Sequence, residues 1–280
     1  MIKSILLCND GSDYANTASD YAISLAQKLG ARIVALHVTD IRLLEGPMLA
    51  DLSGAIGAQT YQALLPQLQE MQKQRGGVIL AAVADRCQKA GVQCSTVYRM
   101  GGLTETICDE EKRAELVVLG QRGEHAKWIG EFLGSSVERV VRGSIKPCLV
   151  TPGAFREIRH VLMAYDGSAQ SSKSLQVATE LCRTLKLALS IITVVTQALE
   201  TGVRNPLDDA VRMARDHGLD PRAETLVGHP EQQILEFAKR SQADLIVMGA
   251  YGHTRIRELV LGSTTSHVVR KSSVPVLLTR

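Results

Sequence analysis

The chain is written twice. Ser4-Ile5-Leu6-Leu7-Cys8-Asn9-Asp10-Gly11-Ser12 returns 156 residues later as His160-Val161-Leu162-Met163-Ala164-Tyr165-Asp166-Gly167-Ser168. The same offset carries Ala22, Leu25 and Leu29 onto Ala178, Leu181 and Leu185, and Leu36-His37-Val38 onto Ile192-Thr193-Val194. Farther along, Leu116-Val117-Val118-Leu119-Gly120 answers to Leu245-Ile246-Val247-Met248-Gly249 at an offset of 129, so the first copy holds about 27 extra residues between Thr39 and Met100. Self-similarity at this scale constrains the chain to two copies of one unit. At 280 residues, each copy has the size of an ordinary domain. The expected domains are 1–152 and 158–280, with a short link near Pro152-Gly153.

Each copy alternates between two periodicities. Residues 5–8 are a continuous apolar run, as a parallel strand buried on both faces requires. Asp10-Gly11-Ser12 breaks it, and Ser12 is placed to cap a helix. Ala18, Ala22, Leu25 and Leu29 then recur at helical spacing until Gly30. Residues 33–38 read as the second strand and 61–90 as a long amphipathic helix weakened at Gly76-Gly77. Residues 94–98, 116–119 and 147–151 read as strands, and 104–113 and 135–142 as helices. The second copy repeats the order with a shorter second helix, near 205–217. Strands alternating with helices predict an α/β class: two tandem doubly wound domains, each a five-stranded parallel sheet with helices on both faces. Ligands of such sheets bind beyond the carboxyl ends of the strands, where the strand order reverses.

Composition narrows the function. With one Trp, six Tyr and three Phe, the chain lacks aromatics for a base-stacking nucleic-acid platform. A net charge of +3, from 32 basic and 29 acidic residues, gives no concentrated positive face for a phosphate backbone. No apolar run approaches the ~18 residues of a membrane span, so no membrane insertion is expected. The six cysteines form no C-x-x-C pair and several sit beside apolar residues, which points to free thiols in a reducing, cytoplasmic compartment.

The chemistry concentrates in the second copy. Its fourth strand ends at Gly249; two residues precede Gly252 and nine more precede Gly262-Ser263-Thr264-Thr265, which opens a helix. Gly249 and Gly252 let the backbone turn tightly and approach a ligand with no Cβ in the way. A helix start presents free N–H groups and the positive end of the dipole, an anion site suited to phosphate. The Ser263 and Thr265 hydroxyls can add donors. If the first and fourth strands are neighbours, Asp166 lies at the same edge, where its carboxylate can accept from a ribose hydroxyl or a base amino group, or help hold a cation.

On Asp166-Gly167-Ser168 and Gly249-x2-Gly252-x9-Gly262-Ser263, the sequence resembles the universal stress protein family in its tandem form, over nearly the whole chain. The resemblance implies that ATP, with ADP and AMP as alternatives, is cradled at the switch point with Mg²⁺ or Mn²⁺. It places Val194 backbone atoms by the base, Gly249 by the ribose, and Gly252, Gly262, Ser263, Thr264 and Thr265 on the phosphates. It also implies that the last strands of the two copies pair across a two-fold axis. The tandem chain is then its own pseudo-dimer, with room for a homodimer of chains, and nucleotide occupancy serves a stress-response regulator. The first copy departs from the pattern. Asp10, Val38, Gly120 and Gly123 are present, but ten residues separate Gly123 from Gly134-Ser135-Ser136, and Val137 stands where the second copy has Thr265. The second copy is therefore expected to be the better site.

Plainer roles stand beside these. The glycines can be turns that pack a helix on the sheet, and Asp10 and Asp166 can serve only the helix entries. His125, Lys127, Arg122, His253, Arg255 and Arg257 flank the phosphate loops but are ordinary solvated loop charges if nothing binds. His37 lies inside an apolar strand, as a core histidine would. Residues 50–61 read equally as a lid or as a surface loop. No Walker, zincin or nucleophile-elbow motif is present, and no base stands beside a nucleophile, so no catalytic residue is assigned and ATP hydrolysis would be slow at most. The rival readings are an interaction scaffold that binds no nucleotide, and a slow ATPase.

Overall fold

A computed structural model describes residues 2–41, 58–123, 135–196, 205–250 and 261–280. The first domain runs β1 (Ser4–Cys8), α1 (Asp13–Leu29), β2 (Arg32–Asp40), α2 (Ala58–Lys89), β3 (Cys94–Gly101), α3 (Leu103–Glu110), β4 (Leu116–Gly120), α4 (Ser135–Gly143) and β5 (Cys148–Thr151). The second runs β6 (His160–Ala164), α5 (Ala169–Leu185), β7 (Ala188–Val195), α6 (Pro206–Asp216), β8 (Arg222–Val227), α7 (Pro230–Arg240), β9 (Leu245–Gly249), α8 (Ser263–Lys271) and β10 (Val276–Thr279).

The ten strands form one sheet in the order β3-β2-β1-β4-β5-β10-β9-β6-β7-β8. All neighbours are parallel except β5 and β10, which pair antiparallel through Val150–Val276, Leu149–Leu277 and Cys148–Leu278. The two five-stranded sheets expected from the sequence are thus halves of one sheet. In each half the chain starts at the centre, builds outward through two strands, then crosses back, so the order reverses between β1 and β4 and between β6 and β9.

Alternate residues of each strand feed two apolar layers. Ile5 and Leu7 face α1 and α2, and Val161 and Met163 face α5 and α6. Leu6 and Leu162 face the other side, with Ile107 of α3, Val140 of α4, Phe237 of α7 and Val268 of α8. Both layers contain residues of both domains, so the core passes through the β5–β10 seam without interruption. A small apolar cavity lies over that seam, lined by Leu25, Leu149, Leu181 and Leu277 among others. The link is bolted to α1 on the same side. The Tyr21 hydroxyl accepts the Arg156 N–H at 3.0 Å and donates to the Ala154 carbonyl at 3.3 Å, and Thr17 Oγ1 donates to the Gly153 carbonyl at 3.2 Å. Beside it, Arg159 and Lys28 hold the Glu157 carboxyl down at about 2.

The long second helix is present as expected and continues through its weak point at Gly76-Gly77, where Gly76 serves a contact. A Cβ there would fall 2.7 Å from the Tyr98 ring and 2.8 Å from the His37 ring, whereas one on Gly77 would meet nothing within 4 Å. The neighbouring glycines therefore predict opposite outcomes. Gly77→Ala should gain up to about 1 kcal/mol from helix propensity. At Gly76→Ala the same gain is outweighed by overpacking, roughly 1–3 kcal/mol, for a net loss. Urea unfolding of the two variants checks the signs; stabilisation at both positions would contradict the contact. The third helix, expected over 104–113, ends at Glu110 and tightens into a 3₁₀ turn over Glu111–Arg113. Glu111 is drawn inward there: its carboxylate accepts the Ser144 hydroxyl and the Ile145 N–H, the latter at 2.9 Å. Among the described residues no helix is long and apolar enough to cross a membrane.

Candidate functional site

Both copies of Asp-Gly-Ser make the same turn off the carboxyl end of a central strand. The Asp166 carboxylate accepts the Ser168 N–H at 2.9 Å, Gly167 takes a left-handed φ of 79°, and Ser168 Oγ caps α5 by accepting the Ser171 N–H at 3.1 Å. Asp10, Gly11 (φ 84°) and Ser12 repeat this, with 3.0 Å from Ser12 N to Asp10 Oδ1 and 3.2 Å from Ala15 N to Ser12 Oγ. The caps are the serines; each aspartate holds the turn before its helix. Asp166 is exposed at the switch point, because β6 and β9 are hydrogen-bonded neighbours.

Across from Asp166, β9 ends at Gly249 and α8 begins at Ser263. Gly262 occupies the N-cap with no side-chain cap bond, so the first-turn amides of Ser263, Thr264 and Thr265 have neither an intrahelical nor a side-chain acceptor among the described residues. Its φ of −54° is open to any residue, so glycine here contributes an absent side chain and no special backbone shape. Gly262 N donates to the Ala250 carbonyl at 3.3 Å, which ties the helix start to the strand end. Thr265, expected as a hydroxyl donor to phosphate, is buried, and its Oγ1 donates to the Gly249 carbonyl at 3.0 Å. It fixes α8 against β9, and only its backbone N–H points to the helix start. Val194 sits near the end of β7, half-buried and paired with Leu226. Gly252 lies outside the described residues, as do His253, Arg255 and Arg257.

In the first domain, Asp10 and Gly123 come together: a Cβ on Gly123 would lie 2.9 Å from Asp10 Oδ2. Gly120 has the plainer role, since a Cβ there would strike the Tyr14 backbone at 2.9 Å. Val38 stands in β2 opposite Arg99. Ser135 opens α4, and Ser136 Oγ lies 3.5 Å from Arg139 Nη2. Val137 is buried where Thr265 is buried in the other domain, but it cannot make that residue's bond to the strand end. Both turns lie against the second helix of their own domain: a Cβ on Gly11 would meet Ile79 of α2 at 2.9 Å, and one on Gly167 would meet Pro206 of α6 at 3.1 Å. Gly134, His125 and Lys127 lie outside the described residues, as does most of 50–61. Arg122 is half-buried with its guanidinium 5.8 Å from the Tyr14 ring centre. His37 is buried, its Nδ1 2.8 Å from the Asn9 carbonyl, as a core histidine would be.

The universal stress protein family model matches residues 1–152 and again 157–280. The chain belongs to the universal stress protein family. A universal stress protein of Synechocystis sp. is 40% identical over all of both chains. A universal stress protein of Bacillus subtilis is 33% identical and aligns 97% of its own length to 43% of this chain, a relative of about one repeat. The crystal structure of a universal stress protein from Archaeoglobus fulgidus covers 99% of this chain and 96% of its own at a TM-score of 0.76 and 23% identity, a likeness of fold.

In this universal stress protein the α4 and α8 helices are each held by the opposite domain. The Gln121 amide, just beyond β4, donates to the Val269 carbonyl in the last turn of α8. Arg280, at the chain end, reaches the Arg142 carbonyl in the last turn of α4 at 3.4 Å. Last-turn carbonyls lack intrahelical donors, so these are caps supplied across the seam. Sequence reasoning missed both residues. The available signal was asymmetry, because the polar Gln121 matches the apolar Ala250 just after a strand whose apolar pattern the copies share.

Burial pushes the Cys8 thiol well up, reinforced by Cys148, so it stays protonated beside Asn9-Asp10. Among the described residues, no three His, Cys, Asp or Glu side chains converge as a metal site.

Proposed function

We propose that the second domain binds ATP at its switch point and that occupancy makes the protein a nucleotide-dependent regulator of the stress response. One observation carries the reading: a helix start whose Ser263, Thr264 and Thr265 amides have no acceptor among the described residues lies across the same strand ends as the Asp166 carboxylate. Amides at a helix N-terminus hold phosphate oxygens, and the helix dipole adds to the attraction. In this reading Gly252, Gly262, Ser263, Thr264 and Thr265 take the phosphates through backbone N–H groups and the Ser263 hydroxyl. Gly249 lies by the ribose, Val194 by the base, and Asp166 accepts from a ribose hydroxyl. Mg²⁺ or Mn²⁺ arrives with the phosphates, which supply most of its ligands. The first domain, with Asp10, Val38, Gly120, Gly123, Gly134, Ser135 and Ser136, offers the weaker version of the same crevice.

Among the described residues no nucleophile and base are paired at the strand ends, and the reading is one of binding, with any hydrolysis incidental. Regulation then requires that ATP bind one arrangement of the loops better than another. Thermal unfolding with and without magnesium ATP is the direct test. A ligand at a hundred times its Kd stabilises the native state by about 2.7 kcal/mol. A raised midpoint with ATP is expected, and none at millimolar ATP would remove the reading.

A further inference from the structure

The near-neutral charge balance of the chain is an average that the fold undoes. Residues 135–147 and 261–280 hold six of the 32 basic residues, Arg139, Arg142, Lys146, Arg270, Lys271 and Arg280, and one of the 29 acidic ones, Glu138. The rest of the chain is therefore acidic by two charges. The loops that lead into these stretches, 124–134 and 251–260, carry three residues of each sign and leave the surplus as it is. The stretches are far apart in the chain, and the sheet brings them together. Strand β5 follows α4, β10 follows α8, and β5 and β10 are paired. Val140 and Val141 of α4 enter the same apolar layer as Val268 and Val269 of α8, so both helices lie on one face of the sheet.

Part of this charge has no counterion in the protein. The ion pairs of the described residues leave out Lys146 and Arg270. Arg270 Nε is buried and has no hydrogen-bond partner among the described residues. The neighbouring helices do not supply the missing acids. On α3, which packs against α4, Asp109 is held by Lys112, Glu110 by Arg99, and Glu105 folds back over Gly102 at the start of its own helix. Helix α7, packed against α8, carries two residues of each sign.

An apolar residue stands within the charge. Ile145, in the turn between α4 and β5, is 66% exposed, with Arg142 three residues before it and Lys146 next to it. Arg280 Nη1 donates to the Arg142 carbonyl at 3.4 Å, so the end of β10 lies against the last turn of α4. Arginines around an apolar contact are the composition of a protein interface. Other polyanions fit less well. A lipid surface takes a row of Trp, Phe or Leu, and these two stretches expose Ile145 alone among large apolar residues. A phosphate backbone would neutralise the charge and leave Ile145 without a partner.

We propose that α4, α8 and the end of β10 form a docking face for an acidic segment of a partner protein, whose carboxylates meet the basic side chains and whose apolar residue covers Ile145. A nine-residue helix is about 14 Å long, the span of roughly four extended residues, so a short linear segment suffices. Thr279 pairs with Gly249, so the Arg280 end of the face borders the mouth of the second domain.

The test uses the full chain without nucleotide, so its outcome is separate from the ATP reading. The probe is a fluorescein-labelled peptide with one leucine between two runs of four glutamates, read by anisotropy, with its glutamine version as control. The glutamate peptide should bind saturably and the glutamine version should not. The affinity should fall about tenfold or more as sodium chloride rises from about 0.05 to about 0.5 M. Lys146→Glu with Lys271→Glu should weaken binding at least about tenfold. Lys73→Glu with Lys89→Glu, at exposed positions of α2, changes the net charge equally and should alter it less than about twofold. Ile145→Ser should weaken it about threefold or more with the salt dependence kept. In the unsubstituted chain, acetylation mapped by mass spectrometry should find Lys146 and Lys271 shielded by the bound peptide and Lys73 and Lys89 unshielded, which decides the matter even if a variant fails to fold. No binding of the peptide, equal weakening by the two lysine pairs, or a preference for duplex DNA or phosphatidylserine vesicles over the peptide would overturn the proposal.

Discussion

Gly262→Val combined with Ser263→Ala should raise the Kd for magnesium ATP at least about tenfold, or roughly 1.4 kcal/mol. The φ of −54° and ψ of 139° at Gly262 suit a β-branched residue, so the variant keeps its fold. What changes is access. A branched side chain stands over the amides that would hold the phosphate, and the one exposed hydroxyl of the turn is removed. Each hydrogen bond to a charged group contributes about 1.5–3 kcal/mol, so losing one or two exceeds the threshold. Calorimetry on the variant and on a first-domain variant, Ser135→Ala with Ser136→Ala, separates the two crevices. Full affinity in the second-domain variant, with an unchanged melting midpoint, would place the nucleotide elsewhere.

Leu277→Ala should destabilise the whole protein by about 3 kcal/mol. Leu277 is 2% exposed, faces Leu149 across the antiparallel pair, and lines the apolar cavity over the seam. The cavity wall is itself duplicated: Leu25 and Leu181, Leu116 and Leu245, and Leu149 and Leu277 are repeat mates. Truncation enlarges a void whose walls are strands and helices of both halves, and these cannot close over it. Because the apolar layers are shared, urea should unfold both domains in one transition, with the midpoint lowered and the slope kept. Val227→Ala, at an exposed position, should change stability by no more than about 0.5 kcal/mol. Two separate transitions, with only the later one shifted, would show that the halves are independent.

Local physics explains how far the sequence could be read. Fully apolar runs such as residues 5–8 and 161–163 predict strands buried on both faces, and they are. Ser12 and Ser168 predict helix starts and make those cap bonds. Gly30 predicts a stop and takes φ 62°, yet its repeat mate Lys186 ends α5 at φ 54° with no glycine to mark it. What local sequence did not reveal depends on distant partners. Gly76 is chosen by Tyr98 and His37, and Glu111 by the turn that follows α4. The same divide runs through the candidate site. Asp-Gly-Ser is a three-residue turn and was legible. That Thr265 spends its hydroxyl on Gly249, and that Gln121 reaches Val269, follows from how strands and helices are registered against each other.

The single antiparallel pair at β5–β10 settles how the two halves can communicate. Strands of the first domain and strands of the second run in opposite directions, so their carboxyl ends emerge on opposite rims and the two mouths open away from each other. No small molecule can sit in both. What connects the rims is α8 and α4, each starting at its own mouth and ending near the neighbour's, where Gln121 or Arg280 grips it. Each rim is therefore tied to the other end to end by a nine-residue helix.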